Sequence, residues 1–244
     1  MIAAVLMAKL PVAGQVKTRL CPPLDGEAAA AVQGVFLRHL LDRLGRLRGI
    51  QTLVWAYAGG DRDAAQAVVR DVGMRCRGAS VDAAPDERIG HPRPVTLVEQ
   101  ASGDLGDRLA AAANAVRPAA ALFFGVDSPH VPDAHVDAAV AALARGDDVV
   151  GPCEDGGFWC LGTSADRDVA ALCRGVDWSS GRELGQVRDH AVAAGRPLAD
   201  APAFWDVDRP DDLARLLADL ARAPDDSPNG RLRDRLAGLS LPHL

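Results

Sequence analysis

The chain has 244 residues, a hydrophobic content of 48% and a formal net charge of −6 at pH 7. This composition predicts a sizeable core in one large α/β domain or two small ones, and it excludes disorder as the default. The acidic balance argues against a nucleic-acid partner, so an anionic ligand would need a local basic cluster. Five scattered cysteines without a C-x-x-C pair indicate reduced thiols in a cytoplasmic protein. No apolar run is long enough to span a bilayer.

The first predicted strand, residues 2–7, leads into a loop that carries Lys9, Lys17 and Arg19. Pro11 and Gly14 break regular structure in this loop. The chain has 27 basic residues, yet its two lysines both lie here. Lysine is a compact point charge that commonly binds phosphate, so we favour phosphate binding over chance retention in an arginine-rich sequence. The loop is neither a P-loop nor a G-x-G-x-x-G fingerprint.

Hydrophobic periodicity predicts a helix from about Glu27, a strand at residues 52–57 and a shorter helix at residues 61–69. This order is typical of a parallel sheet covered by helices, with the first loop at the carboxyl edge of the sheet. Residues 77–94 are polar and aperiodic and predict a long surface loop, and residues 95–98 predict a strand. The next helix begins near Asp104 and Arg108. These two residues could hold a ribose or a phosphate, although ordinary helix capping explains them slightly better.

The most informative stretch is an apolar run over residues 119–126 that ends at Asp127-Ser128-Pro129. The run predicts a strand buried on both faces, and the helical spacing after Pro132 predicts a helix. Asp127 therefore lies at the carboxyl edge of the sheet, where ligands bind in open α/β folds. A carboxylate there suits a hard divalent cation. Capping of a turn or of the next helix is an equally good explanation.

Two further acidic stretches follow. A short strand at residues 147–151 leads into Glu154-Asp155-Gly156-Gly157 and another strand, so the two acids lie either in a tight hairpin or against a substrate hydroxyl, with one of them as a base. Residues 203–210 predict a strand end on which Asp206 and Asp208 point to one face, as the second half of a cation site. The alternative is that Asp208 and Asp211 stabilise the helix that begins at Pro210, because acidic side chains interact favourably with the positive N-terminal end of a helix. Residues 224–230 predict a linker, followed by a small docking helix.

These stretches form an ordered set of motifs. They are Lys9-x-Pro11-x-x-Gly14-x-Val16-Lys17-Thr18-Arg19-Leu20, Gly103-Asp104-Leu105-Gly106-Asp107-Arg108, Gly125-x-Asp127-Ser128-Pro129, Gly151-Pro152-x-Glu154-Asp155-Gly156-Gly157-Phe158 and Asp206-Val207-Asp208-x-Pro210-x-Asp212-Leu213. Together they resemble the DUF2064 family, also called selenodomain-associated transferase 1, a glycosyltransferase-like group within the nucleotide-diphospho-sugar transferase superfamily. The resemblance covers roughly residues 1–222 and leaves residues 223–244 as a linker and a short C-terminal docking segment.

The resemblance implies a single GT-A (Rossmann-like) α/β/α domain with a mixed, mostly parallel sheet. It implies a nucleotide held by seven residues of the first loop and the third helix start, namely Lys9, Gly14, Lys17, Thr18, Arg19, Asp104 and Arg108. It also implies Mg²⁺ or Mn²⁺ at Asp127, with Asp206 and Asp208 completing the metal site. Lys17 and Asp127 would then also be catalytic, and Asp155 would be a base or an acceptor contact.

We therefore expect a metal-dependent transferase that uses a nucleotide-activated small-molecule donor and an unknown acceptor, with a glycosyltransferase as the first choice. The first loop is also similar to that of phospholactate guanylyltransferases. A nucleotidyltransferase that releases pyrophosphate is therefore an alternative. A non-catalytic nucleotide-binding protein is a further alternative, because a fold does not fix a function.

Overall fold

The structure, a computed structural model, describes residues 1–77 and 92–241. In chain order, its strands are β1 (Ile2–Lys9), β2 (Thr52–Ala58), β3 (Val95–Glu99), β4 (Ala120–Phe124), β5 (Val149–Pro152), β6 (Phe158–Thr163) and β7 (Ala199–Asp200). Its helices are α1 (Gly26–Leu44), α2 (Arg62–Asp71), α3 (Leu105–Val116), α4 (Asp133–Arg145), α5 (Val169–Leu172), α6 (Glu183–Ala193), α7 (Pro210–Leu220) and α8 (Pro228–Ala237).

The described strands form one sheet in the order β3-β2-β1-β4-β6-β5-β7. The pairings of β1 with β2, β1 with β4, β2 with β3 and β5 with β7 are parallel. Only β6 runs against its neighbours β4 and β5. The sheet is therefore mixed and mostly parallel, as predicted, and the carboxyl ends of its parallel strands meet at one edge.

Helices cover both faces of the sheet, and the alternation of side chains along β1 shows how. Ala4 and Leu6 face one core with α1, α2, α4, α7 and α8, whereas Ala3 and Val5 face a second core with α3, α5 and α6. All four residues are fully buried. A strand covered on both faces is apolar throughout rather than alternating, which explains the continuous hydrophobic run at the start of the chain. The predicted α/β/α architecture is confirmed.

The predicted elements from β1 to α4 occur within a few residues of their expected positions. The hairpin alternative for the Glu154-Gly157 turn is correct, because β5 and β6 pair antiparallel on either side of it. The short elements α5 and β7 were not predicted, since four and two residues are too few for a periodic pattern. Most of the predicted 77–94 loop, residues 78–91, lies outside the described residues.

The prediction of a strand end at residues 203–210 is wrong. This segment is extended but forms only one isolated bridge, between Phe204 and Cys153, among the described residues. Its backbone is held by the site itself, because the Val207 N–H donates to Asp127 O at 2.8 Å. Extended backbone still alternates its side chains, so Val207 is buried while Asp206 and Asp208 remain partly exposed.

The C-terminal part of the chain packs against the domain. Helix α8 begins at Pro228, inside the predicted 224–230 linker, with Ser227 as its N-cap. Leu232 and Leu236 of α8 are buried in the same core as α1. None of the helices described is both long and apolar enough to cross a membrane.

Candidate functional site

Four segments meet at the carboxyl edge of the sheet. They are the loop after β1, the β4–α4 connection, the β5–β6 turn and residues 203–208. In a doubly covered sheet this edge is the part of the strands that helices leave open, and it is where ligands bind. The predicted site residues lie on these segments, except for Asp104 and Arg108 at the start of α3.

Lys17 joins three of the four segments. Its side chain is only 3% exposed, and Nζ forms an ion pair with Asp127 Oδ1 at 2.6 Å. Nζ also donates a hydrogen bond to Val207 O and lies 5.2 Å from the centre of the Phe36 ring. The backbone of Lys17 has a φ of 49°, a left-handed conformation that costs a non-glycine residue about 1 kcal/mol or more. Lys17 is thus held by the protein itself.

Arg19 is arranged differently. Its guanidinium donates to Asp208 Oδ2, but its side chain is 58% exposed. The hydrogen bond to Asp208 and the charge of that carboxylate raise the pKa of Arg19 further above its ordinary value. The first loop therefore carries one cation that is fixed in the structure and one that a ligand can reach.

A second group of titratable side chains, on the β5–β6 turn and the 203–208 segment, lies near Asp127. Cys153, Asp155 and Asp206 place one ligand atom each within 4.8 Å of one another. Burial, followed by the charges of Asp155 and Asp127, raises the pKa of Asp206 to about 6. Burial and the charges of Asp206 and Asp155 raise the pKa of the Cys153 thiol as well, so the thiol stays protonated. Among the described residues, neither Asp155 nor Asp206 forms an ion pair.

This donor set fits a hard divalent cation. Asp155 and Asp206 offer carboxylate oxygens, which Mg²⁺ and Mn²⁺ prefer. The predicted metal set is divided in the structure. Asp206 lies with Asp155, whereas Asp127 faces Lys17 and Asp208 faces Arg19.

Two cavities open on either side of Asp127, Asp208, Arg19 and Leu105, which line both of them. We call the first, of about 320 Å³, the basic pocket. Its titratable lining residues are Lys9, Lys17, Arg19, Arg108, Asp127 and Asp208. We call the second, of about 440 Å³, the acidic cleft. Its charged and aromatic lining residues are Arg19, Asp127, Asp155, Phe158, Trp159, Trp178, Glu183, Asp206 and Asp208.

Most of the predicted nucleotide-binding residues lie around the basic pocket, including Thr18. Two do not. Gly14 lines neither cavity in the described part of the chain and instead packs closely against Gly26, whose added Cβ would meet Gly14 N at 3.1 Å. Asp104 also lines neither, and it forms a reciprocal capping box with Asp107 at the start of α3. The capping explanation therefore accounts for Asp104.

Three residues in or beside the acidic cleft were not among the predicted site residues. Trp178 and Glu183 line the cleft, and Arg215 reaches the β5–β6 turn, where it pairs with Glu154 at 3.1 Å. The guanidinium of Arg215 also lies 4.0 Å from the ring of Trp205. The only signal was the presence of a tryptophan in the polar Asp177–Gly181 loop, since Glu183 and Arg215 are ordinary residues for a helix.

Solved structures share this fold. A protein from Desulfovibrio desulfuricans G20 that was proposed to be a nucleotide-diphospho-sugar transferase is 23% identical, with a TM-score of 0.77 over 97% of this chain and 95% of its own. A Leptospira borgpetersenii cytidylyltransferase is 10% identical, with a TM-score of 0.54 over 99% of both chains. The 4-diphosphocytidyl-2C-methyl-D-erythritol synthase of Anaerococcus prevotii DSM 20548 is 12% identical, with a TM-score of 0.53 over 91% of this chain and 99% of its own. No curated protein matches the chain.

The architecture is thus the α/β/α fold of nucleotide-diphospho-sugar transferases and cytidylyltransferases. The family described as uncharacterized protein conserved in bacteria (DUF2064) matches residues 40–180, more than half of the chain. The chain belongs to this family, as the motifs predicted.

Proposed function

We propose that this protein is a divalent-metal-dependent transferase that takes a nucleotide-diphospho-sugar as donor and transfers the sugar. The observation that carries the proposal is the junction of the basic pocket and the acidic cleft at Asp127, Asp208 and Arg19. A donor lying across this junction has its anionic part on the basic side and its transferable group on the other. The name of the Desulfovibrio protein agrees with such a donor, whereas the names of the Anaerococcus and Leptospira proteins agree with nucleotidyl transfer.

The basic pocket is the proposed nucleotide site. Lys9, Arg19 and Arg108 all line it, and the first two are exposed. Their charges suit the diphosphate, and charge-assisted contacts of this kind are the stronger class of hydrogen bond. Lys17 is a positioning residue. Its contacts with Asp127 and with Val207 O hold the loop after β1 against the β4–α4 connection and the 203–208 segment.

Asp155 and Asp206 are the proposed ligands of the divalent ion, which would be Mg²⁺ or Mn²⁺. Such an ion, when bound, neutralises negative charge on the phosphates as the nucleotide leaves. Asp155 is held in place because its Oδ1 accepts the Gly157 N–H at 2.9 Å. Asp127 and Asp208 orient the cations of the first loop toward the same junction.

One observation favours a nucleotidyltransferase as a second candidate. An enzyme of that kind joins a triphosphate to a phosphorylated substrate and needs a cation near the β5–β6 turn. The nearby sequence has no basic residue between Arg145 and Arg167, but Arg215 reaches Glu154 of this turn from α7. Arg215 would supply the cation that this stretch of the sequence lacks.

The leaving group separates the candidates. The protein is incubated with Mn²⁺ and either a panel of nucleotide sugars or nucleoside triphosphates with sugar phosphates, and the released product is identified by ³¹P NMR. Sugar transfer releases a nucleoside diphosphate, and this release should be lost in Asp206→Asn. Pyrophosphate release that depends on Asp206 would establish the second candidate instead. Nucleotide binding with no turnover on any donor would leave a non-catalytic binding protein.

A further inference from the structure

We propose that the end of the acidic cleft around Phe158, Trp178 and Glu183 is the acceptor subsite and that it takes a neutral, polyhydroxylated ring, such as a sugar or a cyclic polyol. This inference rests on the proposed function, because it assigns the acceptor side of the same site. It names the class of substrate that the sequence left open.

Glu183 is the first observation. The residue lines the cleft but is only 7% exposed. Its Oε1 accepts the Ser180 N–H at 2.7 Å, whereas its Oε2 is buried without a hydrogen-bond partner among the described residues. An unpartnered buried carboxylate oxygen is costly. A hydroxyl group of a ligand in the cleft would supply the missing donor.

Trp178 is the second observation. It also lines the cleft, and its indole Nε1 is buried without a hydrogen-bond acceptor in the described part of the chain. Phe158 lies beside it, edge to face, with the ring centroids 6.4 Å apart. One wall therefore combines apolar ring surface with an unused donor and an unused acceptor. A hydroxyl group both donates and accepts, and a sugar ring presents C–H groups to an aromatic surface, so this wall suits a polyol.

The charge of the cleft restricts the substrate further. Asp155, Asp206 and Glu183 have no ion-pair partner among the described residues, and the cation that lines the cleft with them, Arg19, is already paired with Asp208. A bound divalent ion would offset the two aspartates but would leave Glu183. A phosphorylated or carboxylated acceptor would face this charge at short range, and like charges repel strongly in a partly dry site. The cleft therefore disfavours an anionic acceptor.

The subsite is preformed because its two loops are locked together. The Leu184 N–H donates to Gly156 O at 3.2 Å, and a Cβ at Gly156 would lie 2.1 Å from Gly181 O. Gly156 and Gly181 both have a positive φ, at 90° and 76°. Glycine at both positions lets the β5–β6 turn touch the Trp178 loop, and this contact holds together two segments that line the cleft.

Binding to the intact protein is the direct test. Saturation-transfer-difference NMR, with UDP and GDP in turn and Mg²⁺ present, measures binding of glucose, mannose, galactose and myo-inositol, with glucose 6-phosphate and glucosamine as charged probes. At least one neutral ring should bind, and glucose 6-phosphate should bind at least tenfold more weakly than glucose. Tighter binding of the phosphate, or of the cationic glucosamine, would overturn the assignment to a neutral acceptor.

Two variants locate the binding. Trp178→Phe keeps an aromatic ring but removes the N–H, and Glu183→Gln keeps the acceptor for Ser180 N–H but removes the charge. Each variant should lower the affinity for the neutral ring about tenfold and leave the affinity for the nucleotide unchanged. Asp177→Asn is the matched control, because it removes a neighbouring carboxylate that lines neither cavity and should change neither affinity. Unchanged sugar binding in both Trp178→Phe and Glu183→Gln would refute the subsite.

A second measurement on the same samples tests the proposed function separately from the acceptor subsite. Calorimetry measures nucleotide affinity separately. Nucleotide binding without binding of any neutral ring refutes the subsite and leaves the donor assignment intact. Absence of nucleotide binding refutes the donor assignment, and the NMR experiment without nucleotide then still decides whether the cleft binds sugars.

Discussion

The basic pocket and the acidic cleft share Asp127, Asp208 and Arg19, yet their remaining linings carry opposite charges. The basic pocket is built mainly from the loop after β1 and the start of α3. The acidic cleft is built from the β5–β6 turn, residues 203–208 and the loop before α6. The carboxyl edge of one sheet thus presents two chemically different surfaces, because the first half of the chain forms most of one lining and the second half forms most of the other.

The two surfaces also differ in how their charges are satisfied. On the shared boundary, Asp127 and Asp208 each have a cation within ion-pair distance. In the cleft, Asp155 and Asp206 have none among the described residues. A protein gains nothing in stability from clustered, unpaired acids, so the difference indicates that the boundary pairs hold the site together and that the cleft acids serve a ligand. The following predictions test this division, beginning with the largest effect.

Asp206→Asn should weaken Mn²⁺-dependent binding of a nucleoside diphosphate by about a hundredfold, because it removes a charged ligand atom from the proposed metal site. Isothermal titration calorimetry with and without Mn²⁺ measures the effect. Glu154→Gln is the matched control, since Glu154 lies in the neighbouring turn but pairs with Arg215 and lines neither cavity. Equal losses in both variants would show a general charge effect rather than a metal ligand.

Lys17→Met should lower the free energy of unfolding by about 1–3 kcal/mol. The substitution leaves Val207 O without its side-chain donor and Asp127 without its cation, and Asp127 is partly exposed, which keeps the loss below that of a fully buried pair. Urea denaturation measures the change. Lys9→Met is the control within the same loop, because Lys9 is exposed and should change stability by less than about 0.5 kcal/mol. Similar values for the two lysines would refute the positioning role of Lys17.

Stability should fall as the pH drops from about 6.5 toward 4. His130 packs against Phe204 and Trp205 of the 203–208 segment. Burial, followed by the charges of Arg43 and Arg215, lowers the pKa of His130 to about 3. Below pH 6.5 the imidazole is protonated in the unfolded chain but stays neutral in the folded protein. This residue alone therefore lowers the free energy of unfolding by about 1.4 kcal/mol for each pH unit of acidification.

Denaturation of His130→Leu at several pH values isolates this contribution, because the variant should have a flatter profile between pH 4 and 6.5. His39 is also buried, and its pKa is lowered well below the ordinary value. Its contribution to the pH dependence of stability therefore remains in the variant. An unchanged slope in His130→Leu would contradict the buried neutral state of this ring.

Arg19→Ala should produce the smallest effect, a loss of roughly five- to tenfold in affinity for a nucleoside diphosphate with little change in stability. Its pair with Asp208 is largely exposed and stabilises the fold weakly, whereas a contact to phosphate is charge-assisted. The bare nucleoside should bind equally well to the variant and the wild type. Arg222→Ala, which removes an exposed arginine just after α7, is the control. A loss that extends to the nucleoside would show that Arg19 shapes the loop instead.

The sequence predicted the layers of the fold because strands buried on both faces and amphipathic helices leave clear periodic patterns. The run before Asp127 and the stripe of α1 are the strongest examples. The error at residues 203–210 has a physical cause. The side chains alternate as in a strand, but the backbone is held by Asp127 and Lys17 rather than by a neighbouring strand over its length.

The site was predictable where residues lie next to each other in the chain and not where distant residues meet. Lys17 was identified from composition and Arg19 from its place in the same loop, but their partners Asp127 and Asp208 lie 110 and 189 positions away. The approach of Arg215 to Glu154 and of Glu183 to the cleft also depends on tertiary packing alone. No local pattern distinguishes such residues from ordinary helix surface.

The central claim, that the nucleotide lies in the basic pocket with a metal ion in the adjoining acidic cleft, is tested most directly by a crystal structure with Mn²⁺ and UDP or GDP. The account predicts an anomalous Mn²⁺ peak between Asp155 and Asp206, phosphates in contact with Arg19, Lys9 or Arg108, and the base in the basic pocket on the side away from the metal ion. A nucleotide base stacked on Trp178, with the phosphates in the acidic cleft and no metal peak between the two aspartates, would contradict it.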